Sequence, residues 1–280
     1  MSRPRNEQYE TDPDDGLIRG IIGAWSAEDK HQRLKRYIYA SHGARRKFSK
    51  DFGKDTGFVD LYCGPGRARV RDAESKVVDG SAVIAAKKGS ECTPFQRFVI
   101  GDVDADLVAA CEKRLASSGA TKILPLVGPA EETAEFAIRF LDKSSLNLSF
   151  VDPFNAGLPF SILETLGQIE RMDLLIHFSG MDYKRNLQSM MKDGRLDKLA
   201  PGWEEVISSK MGINELRNVI FSHWKSLLES KLKYKVNDTI VAVKGPNNAE
   251  IYRLVFASRH KLADKLWSEV SNLESQRNLL

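Results

Sequence analysis

The chain has 280 residues, enough for one large α/β domain or two small ones, and its 42% hydrophobic content can build a sizeable core. Its 42 Lys and Arg against 38 Asp and Glu leave a net charge of +4. That is too mild to argue nucleic-acid binding by itself, which needs clustered positive charge. Three cysteines, Cys63, Cys92 and Cys111, show neither CxxC nor His-paired metal spacing, so no metal is expected and a reducing cytoplasm is the simpler home. The first residues carry no apolar signal-type run, and no stretch approaches the roughly 18 apolar residues of a membrane span. The expectation is a soluble, cytoplasmic, single-domain protein over residues 1–280, with no membrane partner.

Residues 1–16 are polar, with Pro4, Pro13 and an acidic run, and predict a loose arm. Ser26 then reads as a helix N-cap, with Glu28 and Asp29 in the first turn and Gly43 as the stop. Leu34, Tyr37 and Ile38 share one face of that helix. Lys30, one turn earlier, projects from the same face, as a lysine snorkelling at the core's edge or as a cation beside a pocket. Residues 44–50, ARRKFSK, are the densest basic cluster. They read as a solvated helix end or as a contact surface for a phosphate-bearing substrate.

Residues 57–67, GFVDLYCGPGR, place the apolar Phe58, Val59 and Leu61 of a buried strand around Asp60, just ahead of a turn forced by Gly64 and Gly66. Without a Cβ, such glycines let a backbone approach a ligand, and a following helix offers its unpaired N–H groups. A polar loop and a helix starting near Asp79 or Ser81 come next. The strand in FQRFVIGDVDADL ends at Asp102, where doubly wound folds place a carboxylate on both hydroxyls of a ribose. Leu107, Ala110, Cys111 and Leu115 give helical periodicity, with Cys111 in the core. KILPLVG predicts a third strand, with a helix opening around Glu131.

LNLSFVDPFN predicts a fourth buried strand, with Asp152, Pro153, Phe154 and Asn155 at its carboxyl end, where open α/β sheets bind ligands. RMDLLIHFSG is a fifth strand, with His177 as a core or rim histidine or a base. Residues 181–233 are mostly helical and polar. Two closing strands joined by GPNN complete the pattern.

The arrangement DxxxGxG from Asp60 to Gly66 resembles motif I of S-adenosylmethionine-dependent methyltransferases, with Tyr62 where a first glycine is usual. Asp152-Pro153-Phe154-Asn155 resembles motif IV of methyltransferases that act on amino groups. The resemblance implies S-adenosylmethionine as cofactor, held by Asp60, Tyr62, Gly64, Gly66 and Asp102, with Ala130 and Glu131 on the adenine. It places Asp152 and Phe154 on the methyl acceptor. Lys30 and residues 45–50 are expected at the rim, and the helical insertion as a cover over the substrate.

The order of DKHQRLKRYI, VDLYCGPGR, DGSAVIA, VDPFN and IYRLVFASRHKLADKLW resembles the three-Cys-motif partner protein (TcmP) family from about residue 28 onwards. That resemblance implies an α/β fold with a Rossmann-like class I methyltransferase sheet, mostly parallel with an antiparallel last strand. The function it implies is methyl transfer to an unestablished acceptor; the motif IV resemblance suits an amine or hydroxyl, and the expected basic rim suits a phosphate-bearing molecule such as nucleic acid. The rival is a non-catalytic module of the same fold that binds a partner protein or a nucleic acid.

Overall fold

The computed structural model describes residues 5–71, 76–153, 157–208, 210–244 and 250–271. A helical turn, α1 (Arg5–Gln8), leads into β1 (Tyr9–Thr11) and β2 (Ile18–Ile22). Helices α2 (Ala24–Ala40) and α3 (His42–Lys50) precede β3 (Thr56–Asp60), every residue of which is buried. After the glycine turn come β4 (Arg67–Val70), β5 (Val77–Asp79) and α4 (Ser81–Ser90). Strand and helix then alternate: β6 (Arg97–Asp102), α5 (Ala105–Ser117), β7 (Ile123–Val127), α6 (Ala130–Phe140), β8 (Leu146–Val151), α7 (Phe160–Leu166) and β9 (Met172–Phe178). Between β9 and the closing strands lie α8 (Gly180–Lys192), α9 (Arg195–Leu199) and α10 (Ile213–Ser230). The last elements are β10 (Lys235–Val236), β11 (Val241–Lys244), β12 (Glu250–Ser258) and α11 (Lys261–Ser271).

The main sheet has the order β7-β6-β3-β8-β9-β12-β10, with β11 also paired to β12. Strands β7, β6, β3, β8 and β9 are parallel to one another, and β12 runs antiparallel to β9. This is the expected class I Rossmann-like methyltransferase sheet with its antiparallel last strand. The strands are apolar on both faces because both faces are covered. Val59, Leu174 and Ile176 enter one core with α6, α7, α8 and α10. Phe58 and Leu175, one residue out of phase, enter the other with α2, α4, α5 and α11.

Local expectations are corrected at four places. Helix α2 starts after Gly23, not Ser26, and stops at Ser41, whose hydroxyl donates to Tyr37 O at 2.7 Å. Gly43 lies inside α3. Residues 5–16, expected as a loose arm, carry α1 and β1, and the polar loop after the glycines is the β4–β5 hairpin. Together they make a second sheet of order β1-β2-β4-β5. Ion pairs hold this sheet: Glu10 takes Arg69 at 2.8 Å, and Asp15 takes Arg114 at 2.7 Å. The basic segment 45–50 is at the opposite end of the main sheet from the glycine turn, not at its rim. Arg45 is buried there, donating to Thr93 O at 3.1 Å and to Ser41 Oγ at 2.7 Å, with its guanidinium 4.5 Å from the Phe95 ring centre. The residues of the GPNN turn lie outside those described. Among the described residues, no helix is long and apolar enough to cross a membrane.

Candidate functional site

Parallel register brings the carboxyl ends of β3, β6, β8 and β9 together, and with them Asp60, Asp102, Asp152 and His177. Asp60 is fully buried. One of its oxygens accepts from Tyr62 N–H at 3.1 Å and the other from the Ser81 hydroxyl. Both oxygens therefore serve the protein, tying the glycine turn to the start of α4. Burial pushes this carboxyl up to about 7, against the pull of the Ser81 and Tyr62 hydrogen bonds.

The two glycines differ in what they make room for. Gly66 has φ +75°, and a Cβ there would stand 3.1 Å from Cys111 Sγ and 3.2 Å from both Cys111 Cα and Val83 Cγ2. Its absence of side chain lets α4 and α5 close on the turn. Gly64 has φ +52°, and nothing lies within 4 Å of where its Cβ would be. The turn thus presents bare backbone to open space at Gly64, the kind of surface on which a cofactor's polar end can rest.

Asp102 borders that surface. Its Oδ2 accepts from Gly64 N–H at 3.2 Å and its Oδ1 from Asp104 N–H at 3.1 Å, while the residue keeps partial exposure. Burial raises its pKa, and the two backbone donors oppose that rise. Gly128 N–H donates to Asp102 O at 3.0 Å, which sets the start of α6 beside this carboxylate. Ala130 is buried there, and Glu131 is exposed, paired with Lys198 of α9 at 3.3 Å. Tyr62 is half-buried between these parts. Its phenol is pushed up by burial first and then by the negative charge of Glu131.

Asp152 is the centre of a separate polar cluster. Lys30 Nζ donates to its Oδ2, and His177 Nδ1 lies 3.2 Å from its Oδ1. Burial pushes the Asp152 carboxyl up. The charges of Lys30 and His177, with the Lys30 hydrogen bond, outweigh this and hold it below the usual carboxylate range. His31 next door is pushed down to about 3, first by burial and then by the charge of Lys30, so its imidazole is neutral. The His177 ring centre is 4.6 Å from that of Tyr252, whose hydroxyl donates to Asp29 at 3.3 Å. Phe154 and Asn155 lie outside the described residues. Sequence reasoning left His177 open and did not single out Tyr252. The available signal was positional, because Val151 pairs with Ile176, so the next residues, Asp152 and His177, leave adjacent strands side by side.

No family model and no curated protein matches the chain. Solved structures do align with it. Trm1 from Pyrococcus horikoshii, in complex with S-adenosyl-L-methionine, covers 91% of this chain at 11% identity and a TM-score of 0.39, and the chain spans 62% of that protein, less than two thirds. An rRNA methylase from Streptococcus thermophilus covers 80% of this chain, with 96% of its own length matched, at 13% identity and a TM-score of 0.38. The O-methyltransferase TomG from Streptomyces achromogenes, in complex with SAM, covers 81% with 79% of its own length matched, at 13% identity and a TM-score of 0.43. At these values the fold assignment rests on the chain's own strand order and directions: it is a Rossmann-like class I methyltransferase sheet.

Proposed function

We propose that this chain is an S-adenosylmethionine-dependent methyltransferase whose acceptor is an amine or hydroxyl placed beside Asp152. The observation that carries this reading is the convergence at one end of the sheet of the open Gly64 backbone, the Asp102 carboxylate and the Asp152–Lys30–His177 cluster. The cofactor supplies an electrophilic methyl on a sulfonium, and the protein's task is mostly positioning. Asp102 is assigned the ribose hydroxyls, Gly64 and Tyr62 the methionine side, and Ala130 and Glu131 the adenine side. Asp60 and Gly66 act one step back, by holding the turn in shape.

On the acceptor side, Asp152 is kept ionised and can accept a hydrogen bond or a proton from the acceptor, with Phe154 assigned to hold a planar group. Lys30 and His177 orient its two oxygens. The helices between β9 and β10 are assigned as a cover over the acceptor, within one domain. Membership of the TcmP family, a partner protein and a cytoplasmic location belong to the same proposal. The basic segment 45–50 gives no support to a nucleic-acid acceptor, since it sits at the far end of the sheet.

One observation favours the second reading, a non-catalytic module: both oxygens of Asp152 already have partners in the protein. Calorimetric titration with S-adenosylmethionine and its demethylated product tests the proposal. Saturable binding of both is expected, and folded protein that binds neither at millimolar ligand removes the enzyme reading.

A further inference from the structure

Charge is unevenly placed along this chain. Residues 30–50 hold eight Lys and Arg and no Asp or Glu, a local +8 in a chain of net +4, so the remainder is net −4. Three of the eight turn inwards: Lys30 to Asp152, Arg33 to Asp29, and Arg45 to Thr93 and Ser41. The other five, Lys35 and Arg36 on α2 and Arg46, Lys47 and Lys50 on α3, are half-buried or exposed and have no ion-pair partner among the described residues. Leu34, Tyr37 and Ile38 face the core, which leaves Gln32, Lys35, Arg36 and Tyr39 on the outer face of α2. With Lys88 of α4 and Glu269 of α11 they line a groove with about 400 Å³ of water-accessible space. Lys88 is paired with Glu91 at 2.5 Å and Glu269 with Lys265 at 3.9 Å, so the uncompensated charges of the groove are Lys35 and Arg36. Tyr39 is 57% exposed, and its ring centre lies 5.3 Å from Lys88 Nζ and 5.5 Å from the ring centre of His42, the first residue of α3. Beyond the other end of α3, Phe52 is 52% exposed, with Lys47 Nζ 5.6 Å from its ring centre.

Cations gathered on one surface with no acid among them repel one another, and a polyanion relieves that repulsion. They run from the last turns of α2 along α3, whose nine residues span about 14 Å, too far to converge on one small anion. A chain of phosphates matches that spread. The groove falls within the roughly 300–1,000 Å³ of pockets that hold a small organic group, which is room for a nucleotide beside Lys35 and Arg36. Its concave shape does not match a flat bilayer. The exposed rings of Tyr39 and Phe52 add π-faces among the cations, the combination that holds single strands without reading their sequence. Bases paired inside a duplex cannot reach such rings.

We propose that the outer face of α2, continued by α3, binds single-stranded nucleic acid, with a nucleotide in the groove at Lys35, Arg36 and Tyr39 and further phosphates along Arg46, Lys47 and Lys50. The surface is separate from the site at Asp152, because Tyr39 lies about 14 Å along α2 from Lys30. It does not rest on the methyltransferase reading, and its test is run without S-adenosylmethionine. A fluorescently labelled oligothymidylate of about 12 nucleotides is titrated into the full chain over a salt series, with anisotropy as the readout. Saturable binding is expected, with log affinity falling by about 0.7 per tenfold rise in salt for each phosphate contacted. The double variant Lys35→Gln, Arg36→Gln should bind more weakly and make that slope shallower by about 1.4. Tyr39→Ala should weaken binding about tenfold and leave the slope unchanged, the mark of a lost stack. Lys192→Gln removes an exposed lysine of α8, on the other face of the sheet, and should bind as the parent does. Each variant is confirmed folded by its melt. No binding at low salt, parent-like affinity in Tyr39→Ala, equal weakening in Lys192→Gln, or a duplex of the same length bound at least as tightly overturns the proposal. So does binding to phosphatidylglycerol vesicles in place of the strand.

Discussion

Asp60 and Asp152 sit on adjacent strands and burial pushes both carboxyls up, yet their net shifts are opposite, because only Asp152 has cations beside it. Folding raises Asp60 from 3.8 to about 7. Its contribution to stability is therefore complete below the unfolded value and is lost as pH rises through about 7. Asp60→Asn keeps an acceptor for Tyr62 N–H and gives Ser81 Oγ a donor, without the buried charge. Relative to the parent, it should gain stability on the order of 3 kcal/mol between about pH 4 and about pH 8, read from urea melts at the two pH values. A parallel pH dependence of parent and variant would show that Asp60 does not titrate in this range.

Asp152 is held below its ordinary range, so its contribution is present above the unfolded value and is lost as pH falls. Lys30→Met leaves the carboxylate in the site without its main cation. We expect a loss of about 3 kcal/mol near neutral pH, shrinking on acidification as the orphaned carboxyl takes up a proton. Denaturant titrations over a pH series check this. A deficit that stays constant with pH would mean that Lys30 acts through packing alone.

At the scale of the turn and the small sheet, the two glycines of residues 57–67 should separate in mutagenesis. Gly64→Ala meets open space and has only its left-handed φ to overcome, about 1 to 2 kcal/mol. Gly66→Ala has the same backbone strain and also drives a methyl against Cys111 and Val83, so its cost should be about 3 kcal/mol or more. Equal melting temperatures for the two variants would contradict the packing role given to Gly66. The turn was legible in sequence because glycines after a buried strand have few other uses. Which glycine faces space and which faces a helix was not, since Cys111 is far along the chain. The small sheet was illegible for a related reason: Glu10 and Arg69 are 59 residues apart, and a run of charges reads as solvated until its partners are placed. Arg45 shows the same limit, a cation buried by the Ser41 hydroxyl one turn back and by the Thr93 carbonyl and Phe95 ring, which lie about 50 residues on.

Across the whole molecule, four central strands of the main sheet, β3, β6, β8 and β9, were readable because each is a short apolar run with a polar residue at its carboxyl end, Asp60, Asp102, Asp152 or His177. Alternation of a strand and a helix then fixes parallel neighbours, and parallel neighbours put those polar ends together. The orientation of α2 and α3 was not readable at that level. Lys30 reaches the polar end of the sheet while Arg45, in the next helix, is fixed at the other, so the basic rim expected of the two became two separate positions.

The central claim is that the polar end of the sheet divides into a cofactor side at Asp102 and an acceptor side at Asp152. A paired titration of S-adenosylmethionine into Asp102→Ala and Asp152→Ala, each confirmed folded by its melt, tests that division most directly. Asp102→Ala should lose about 1.5 to 3 kcal/mol of cofactor affinity for each charge-assisted hydrogen bond removed, and Asp152→Ala should bind as the parent does. Unchanged affinity in Asp102→Ala, or loss of the cofactor in Asp152→Ala, would contradict it.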